Sequence, residues 1–294
     1  MRRNKLKKVK IYAIGRQKTQ YAIRTTQYEQ RVMNIIAVDI GNTNIDIGLF
    51  LKDEEQFVKS IPGASRAKLT SCLKDAWKKI PIAESSKENK RDGVIVVSSV
   101  KPKWTKIIEE IAQNSLDEEI HIIGDEIPLP MNLWVDEPDK VGTDRVISAA
   151  AAYDVVEDAV VVADFGTAVT IDLVDKNGVF LGGVICPGFE ISAKALKDYT
   201  AQLPNIKITK PKAPYGRNTA EAINCGLYYS VVGALQEIIR RYAEKIGKWP
   251  QTVITGSAAK TIKDDCDFID SFVPHLVVKG IVLAYKKHIA EKVG

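Results

Sequence analysis

One short phrase occurs twice in this 294-residue chain: Val38-Asp39-Ile40-Gly41-Asn42-Thr43-Asn44 and Ala163-Asp164-Phe165-Gly166-Thr167-Ala168-Val169. Each follows an apolar run, Ile35–Val38 or Ala159–Ala163, and leads into a run of β character, Ile45–Phe50 or Thr170–Val174. An Asp-x-Gly turn between two strands gathers a carboxylate, bare backbone N–H groups and a Thr hydroxyl in one loop. The N–H groups and hydroxyl suit phosphate oxygens, and the carboxylate suits a cation or its waters. A plain hairpin offers the same features once. Two equivalent loops predict a duplicated domain closing on one nucleotide.

The bulk properties narrow the setting. Hydrophobic residues make up 45% of the chain and charged residues 27%, values of a globular protein large enough for two domains. The longest apolar runs, around Val94–Val97 and Ala159–Ala163, are strand-sized, so no membrane association is expected. Cys72, Cys186, Cys225 and Cys266 have neither close pairing nor metal-ligand spacing, which predicts reduced, mostly buried thiols in a cytoplasmic protein. His121, His275 and His288 are isolated, and each reads as an ordinary surface or packing residue.

The net charge of +5 is unevenly spread. Residues 1–33 hold ten Lys/Arg against the single acid Glu29, leaving a mildly acidic body. Such an arm suits nucleic acid, an anionic membrane face or organelle targeting. A blander expectation is that translation starts at Met33, directly before the strand Ile35–Val38, and that the arm carries no chemistry. Nucleic acid is not an expected partner.

Beyond the first hairpin, periodicity predicts a helix over Ser65–Ile80, a strand over Gly93–Val100, a helix over Lys103–Asn114 and a short strand over Ile120–Ile123. A proline-bearing loop spans Pro128–Pro138, and a helix follows over Asp144–Asp154. The second half repeats the plan. It has a hairpin over 159–174, a strand over Val179–Ile185, a helix over Glu190–Asp198 and a long helix over Thr219–Lys245. Strand Thr252–Thr255, a helical turn after Gly256, a strand near Val273 and a closing helix over Val278–Ala290 complete it. The expected architecture is α/β with mixed sheets in two similar halves. We divide the chain into a basic extension, 1–33, and two domains, 34–154 and 155–294.

Walker A, Gly-x-Gly-x-x-Gly, Gly-x-Ser-x-Gly and protein-kinase signatures do not occur. Four further loops combine glycine, acid and hydroxyl. Val141-Gly142-Thr143-Asp144-Arg145 opens a helix, where Thr143 or Asp144 serves as a cap or Asp144 accepts a substrate proton while Arg145 neutralises phosphoryl charge. Leu181-Gly182-Gly183 and Pro187-Gly188 flank a strand and suggest a bulge or a close backbone approach to ligand. In Tyr215-Gly216-Arg217-Asn218-Thr219, Asn218 or Thr219 caps the long helix, and the Thr219 hydroxyl is also a candidate substrate contact. Thr255-Gly256-Ser257 joins strand to helix start, where an adenine can lie against Gly256.

Together these loops resemble the type III pantothenate kinases of the actin-like, sugar-kinase and Hsp70-like ATPase superfamily, from about Asn34 to the C-terminus. The resemblance implies two duplicated actin-like (ribonuclease H-like) domains with a nucleotide cleft between them. It implies ATP-dependent phosphorylation of pantothenate to 4′-phosphopantothenate, the first step of coenzyme A biosynthesis, by a homodimer whose interface comes from second-domain helices. Asp39, Gly41, Asn42, Thr43, Asn44 and Asp46 correspond to the first phosphate loop, with Asp39 organising Mg²⁺. Gly142, Thr143, Asp144 and Arg145 line the substrate site, with Asp144 the general base. Asp164 corresponds to a ligand of K⁺ or NH4⁺, Thr167 to a nucleotide-phosphate contact and Thr219 to a substrate contact.

Two positions depart from the family pattern. Val135, beside Trp134, stands where a Tyr usually packs on pantothenate, and Thr143 stands where Ala is common. The alternatives are a related superfamily kinase or phosphatase acting on another small substrate, and a non-catalytic nucleotide-binding regulator.

Overall fold

The structure is a computed structural model that describes residues 32–62, 65–84, 89–264 and 266–293; most of the basic extension lies outside the described residues. Ile35, Ile36, Ala37, Val38 and Ile40 are all fully buried, so the first apolar run becomes a strand covered on both faces, β1 (Ile35–Ile40). It pairs antiparallel with β2 (Asn44–Leu51), which pairs with β3 (Glu54–Pro62). On its other side β1 runs parallel to β4 (Val94–Ser99), and β4 to β5 (Ile120–Ile122). The sheet order is β3-β2-β1-β4-β5.

The second sheet repeats this plan. Strands β6 (Val160–Phe165), β7 (Ala168–Val174) and β8 (Phe180–Pro187) form the antiparallel meander, with β9 (Gln251–Thr255) and β10 (Ser271–Phe272) added in parallel. Its order is β8-β7-β6-β9-β10, so the duplication extends from the two turns to the whole topology. Strand β3 is the element that periodicity does not announce: Glu54, Glu55 and Gln56 open it on an exposed sheet edge.

Helices cover each sheet on both faces. Helix α1 (Arg66–Trp77) buries Leu69, Leu73 and Trp77, and α2 (Pro102–Leu116) buries Ile108 and Ile111, all against the outer face of the first sheet. On the second sheet α4 (Phe189–Asp198) supplies Phe189 and Ala193, and α5 (Thr219–Ile246) supplies Tyr228, Leu235 and Ile239. The inner faces exchange helices. Helix α3 (Thr143–Val156) precedes the second sheet and packs Ala149, Ala151 and Ala152 onto it. Helix α6 (Leu276–Val293) follows that sheet but packs Val278, Ile281 and Val282 onto the first.

Helices α3 and α6 touch closely. A β-carbon at Gly280 would overlap the Ile147 carbonyl, so only glycine admits this crossing. The swap ties both sheets to one central helix pair and sets the C-terminal ends of β1 and β6 side by side. Among the described residues no helix is long and apolar enough to cross a membrane.

Candidate active site

Strand pairing alone brings several site residues together. In the first sheet Asp39 lies opposite Asp46 on β2 and Ser98 on β4. In the second, Asp164 lies opposite Thr170 on β7 and Thr255 on β9. The two turns meet directly: the Thr43 and Thr167 hydroxyls are 2.7 Å apart, although 124 residues separate them in sequence. The echoing phrases therefore meet where the two halves join, the place expected for the cleft.

The cleft is strongly acidic. Burial, and then the charges of Asp144, Asp46 and Asp164, push the Asp39 carboxyl well above the usual carboxylate range. Burial, with Asp144, Asp172 and Asp46, raises Asp164 to about 7. Asp144 is also raised by burial, opposed by the Arg145 N–H, which donates to Asp144 Oδ1 at 2.9 Å, and by the Arg145 charge. Carboxylates that raise one another's pKa in this way form a site suited to cations and proton transfer.

Thr143 and Asp144 begin α3 without acting as its N-cap, a position held by Gly142 with no side-chain bond. The Thr143 hydroxyl lies 3.2 Å from the buried Ser98 Oγ, anchoring the start of α3 to the end of β4. Arg145 has a definite anion, and it is internal. Its Nε donates to Asp172 Oδ1 at 3.0 Å and Oδ2 at 3.2 Å, and Nη2 also donates to Asp172. The guanidinium sits 5.7 Å over the Phe180 ring, and Asp172 is only 2% exposed. The bidentate clamp fixes Arg145 beside Asp144 as an oriented positive charge.

Sequence reasoning missed three residues here. Asp172 alternates with apolar neighbours on β7 and reads as a solvent-side residue until α3 covers that face. His275, expected to be an ordinary packing residue, places Nδ1 3.2 Å from Asp46 Oδ2. It does so from the loop before α6, in a left-handed backbone conformation with φ of 53°. Lys101, directly before α2, donates its ammonium to the Asn42 carbonyl of the first turn.

The remaining predicted residues are more scattered. Gly256 has φ of 92°, and a β-carbon there would overlap Asp164 Oδ1 and the Phe165 backbone, so glycine is required by packing irrespective of any adenine. Asn218 caps α5 by accepting the Glu221 N–H at 2.9 Å, while Glu221 reaches back to the Arg217 N–H. Thr219 is exposed at the start of α5 and, among the described residues, makes no hydrogen bond to the acidic cluster. Val135 packs into the inner apolar cluster of the second sheet, whereas Trp134 is 74% exposed.

A divalent cation fits the donors present. Asp46 Oδ1 is buried and, among the described residues, without a hydrogen-bond partner, beside the carboxylate of Asp39. Hard carboxylate oxygens are the ligands Mg²⁺ takes, directly or through water. Asp164 likewise has no ion-pair partner among the described residues, and burial with the neighbouring Asp144, Asp172 and Asp46 favours its protonated form.

Two repeated five-stranded sheets, whose acidic turns meet at one place, define an α/β protein built from two like halves. A solved structure from Campylobacter jejuni, named for the Baf family of transcriptional activators, shares that fold with a TM-score of 0.54 at 18% identity, over 87% of this chain and 98% of that one. Sequence comparison is more specific. The family model for type III pantothenate kinase matches residues 35–241. A type III pantothenate kinase of Brevibacillus brevis is 32% identical over 86% of this chain and 99% of its own length. One from Agathobacter rectalis is 34% identical over 86% of this chain and 97% of its own. The chain belongs to the type III pantothenate kinase family.

Proposed function

We propose that this chain transfers the terminal phosphoryl group of ATP to the primary hydroxyl of pantothenate, giving 4′-phosphopantothenate. Residues 34–154 and 155–294 act as the two halves that close on the nucleotide. The observation carrying this reading is the meeting of Thr43 and Thr167, 2.7 Å apart, in the two turns whose Asp39 and Asp164 carboxylates both feel the charge of Asp144. The free thiols of Cys72, Cys186 and Cys225 accord with a reducing, cytoplasmic setting.

Asp144 takes the proton of the pantothenate hydroxyl as the new P–O bond forms. Its burial favours the protonated product of that step, which brings the base nearer working pH. Arg145, immobilised on Asp172, presents fixed positive charge where phosphoryl charge develops, without reorganisation during the step. The Gly41, Asn42, Thr43 and Asn44 turn and the Thr167 hydroxyl receive phosphate oxygens. Asp39 and Asp46 hold Mg²⁺, directly or through water, and Asp164 holds K⁺ or NH4⁺. These ions supply charge neutralisation between phosphate and carboxylate. Gly142 and Thr143 shape the acceptor pocket, and Gly256 borders the nucleotide.

The same reading makes the protein a homodimer through the outer surface of the second half. Ile191 on α4 and Tyr229 on α5 are exposed apolar side chains there, and Gly226 and Gly233 of α5 face open space. Thr219 would join the acceptor site through that assembly. Sedimentation of the purified protein as a monomer at micromolar concentration would remove this part.

The deciding experiment is an ATP- and K⁺-dependent assay for 4′-phosphopantothenate with wild type and Asp144→Asn. The substitution preserves shape and removes the base, so kcat is expected to fall by roughly 10²–10⁴. Near-full turnover by the variant rules out Asp144 as base, and no product from the wild type rules out the activity.

A further inference from the structure

The positive charge of the site is scarce relative to its negative charge. Asp39, Asp46, Asp144, Asp164 and Asp172 lie close enough to influence one another, while the guanidinium among them is committed to Asp172. Lys101 is a second cation at this cleft, and it is differently placed. Among the described residues its ammonium meets no carboxylate and donates to the Asn42 carbonyl, a neutral and replaceable partner.

Its backbone is held firmly. The Lys101 N–H donates to Ser99 Oγ at 3.0 Å, Ser99 Oγ accepts the Thr105 hydroxyl at 2.8 Å, and Pro102 opens α2 immediately afterwards. Two residues earlier along this segment, Ser99 pairs with Ile40, and Val100 donates to the Ile40 carbonyl. Lys101 is therefore fixed against the first turn at its root and flexible only at its tip.

The same segment also leads to the acceptor side. Ser98, three residues before Lys101, bonds Thr143, the neighbour of Asp144. The strand end that leads to Lys101 therefore also anchors the start of α3, which carries Asp144. For a triphosphate seated on the first turn, the ammonium at the Asn42 carbonyl is a cation able to turn toward the phosphate next to the acceptor. The second half has no counterpart: the residue after its carbonyl-bonding Ala258 is Ala259, which is fully buried.

We infer that Lys101 is a specificity-determining contact for the terminal phosphate of a nucleoside triphosphate, its ammonium exchanging the Asn42 carbonyl for phosphate oxygens. The inference rests on the reading of the paired turns as a triphosphate site. A lysine ammonium serves here as a point charge on a flexible stem, able to follow the phosphoryl group.

The test is a calorimetric titration of wild type, Lys101→Met and Lys101→Arg with AMPPNP and with ADP, in Mg²⁺ and K⁺. In Lys101→Met, AMPPNP binding is expected to weaken by about tenfold or more, and ADP binding by less than about threefold. Lys101→Arg keeps most of the AMPPNP affinity. In the kinase assay the KM for ATP of Lys101→Met rises in step, with the KM for pantothenate unchanged. Equal weakening of both nucleotides means that Lys101 only braces the turn and overturns the inference, as does no change in either. Wild type that binds neither nucleotide brings down the triphosphate reading together with the inference. Discrimination by Lys101 in a protein that leaves pantothenate unphosphorylated sinks the substrate assignment alone.

Discussion

The two acidic turns share a register but are held in different ways. Each Asp closes a central strand, and each following carbonyl accepts an N–H from the parallel neighbour, Val100 to Ile40 and Ala258 to Phe165. The first turn spans residues 41–44 between the paired Ile40 and Ile45; the second is one residue shorter, spanning 166–168 between Phe165 and Val169. Opposite Asp39 stands a second carboxylate, Asp46, whereas opposite Asp164 stands Thr170. Side chains brace the first turn through Lys101 and Ser99. Backbone braces the second: Gly188 donates to the Thr167 carbonyl at 3.1 Å, and Gly256 lies against Asp164. Duplication has kept the geometry and divided the chemistry, with two carboxylates paired across the strands in one half and an aspartate facing a threonine in the other.

Removing each aspartate in turn breaks this comparison most severely. Asp39→Asn removes one of the two carboxylates proposed to hold Mg²⁺, and kcat/KM is expected to fall by about 10³ with the response to K⁺ retained. Asp164→Asn is expected to cost about tenfold and to abolish the response to K⁺ or NH4⁺. Steady-state rates across a Mg²⁺ and a K⁺ series separate the two. If both variants lose the same ion dependence, the halves do not divide the labour.

The braces give the next largest difference. Gly256→Ala forces a side chain into a left-handed backbone position and onto Asp164 and Phe165, with an expected loss of about 3 kcal/mol. Ser99 is its counterpart in the first sheet, since Asp39 lies opposite Ser98, just before Ser99, as Asp164 lies opposite Thr255, just before Gly256. Ser99→Ala loses the hydrogen bonds from the Lys101 N–H and the Thr105 hydroxyl, about 1 kcal/mol. Urea unfolding of the two variants reads the contrast directly. Equal losses contradict a backbone-held second turn and a side-chain-held first one.

What could be read from the chain follows from range. The Asp-x-Gly phrases, the strand periods and the glycine-rich connections are local, and the repeated topology follows from them. The third strand of the first meander was hidden because Glu54–Pro62 is a polar edge, where burial imposes little pattern. Asp172 was hidden because its polarity suited an exposed strand face, while its true partner, Arg145, lies on a helix that crosses to that sheet. His275 was hidden for the same reason. It reaches Asp46 only because α6 leaves the second sheet and packs on the first, a choice set by Gly280 against Ile147 and not by local periodicity. Motifs announced the chemistry of the cleft, but the groups that orient it are supplied by the helix exchange.

The last contrast concerns protons in the second turn. Asp164 titrates at about 7 in the folded chain, against an ordinary carboxylate value when unfolded. Between these values the native state binds more protons than the unfolded state, so stability falls as pH rises and levels off above about 7. In buffer free of K⁺ and NH4⁺, Tm is expected to drop by roughly 5 °C more in wild type than in Asp164→Asn between pH 5 and pH 8. The difference between the two proteins cancels every other titrating group except those coupled to Asp164, namely Asp144, Asp172 and Asp46. On the proposed assignment a monovalent cation and the proton compete for this carboxylate, so added K⁺ should recover Tm at pH 8 and do little at pH 5. Asp39, raised for similar reasons, gives a slope of the same sign, but that slope should answer to Mg²⁺. Parallel melting curves for wild type and Asp164→Asn would mean that the second carboxylate is already compensated in the protein alone, and the two turns would then differ less than their surroundings imply.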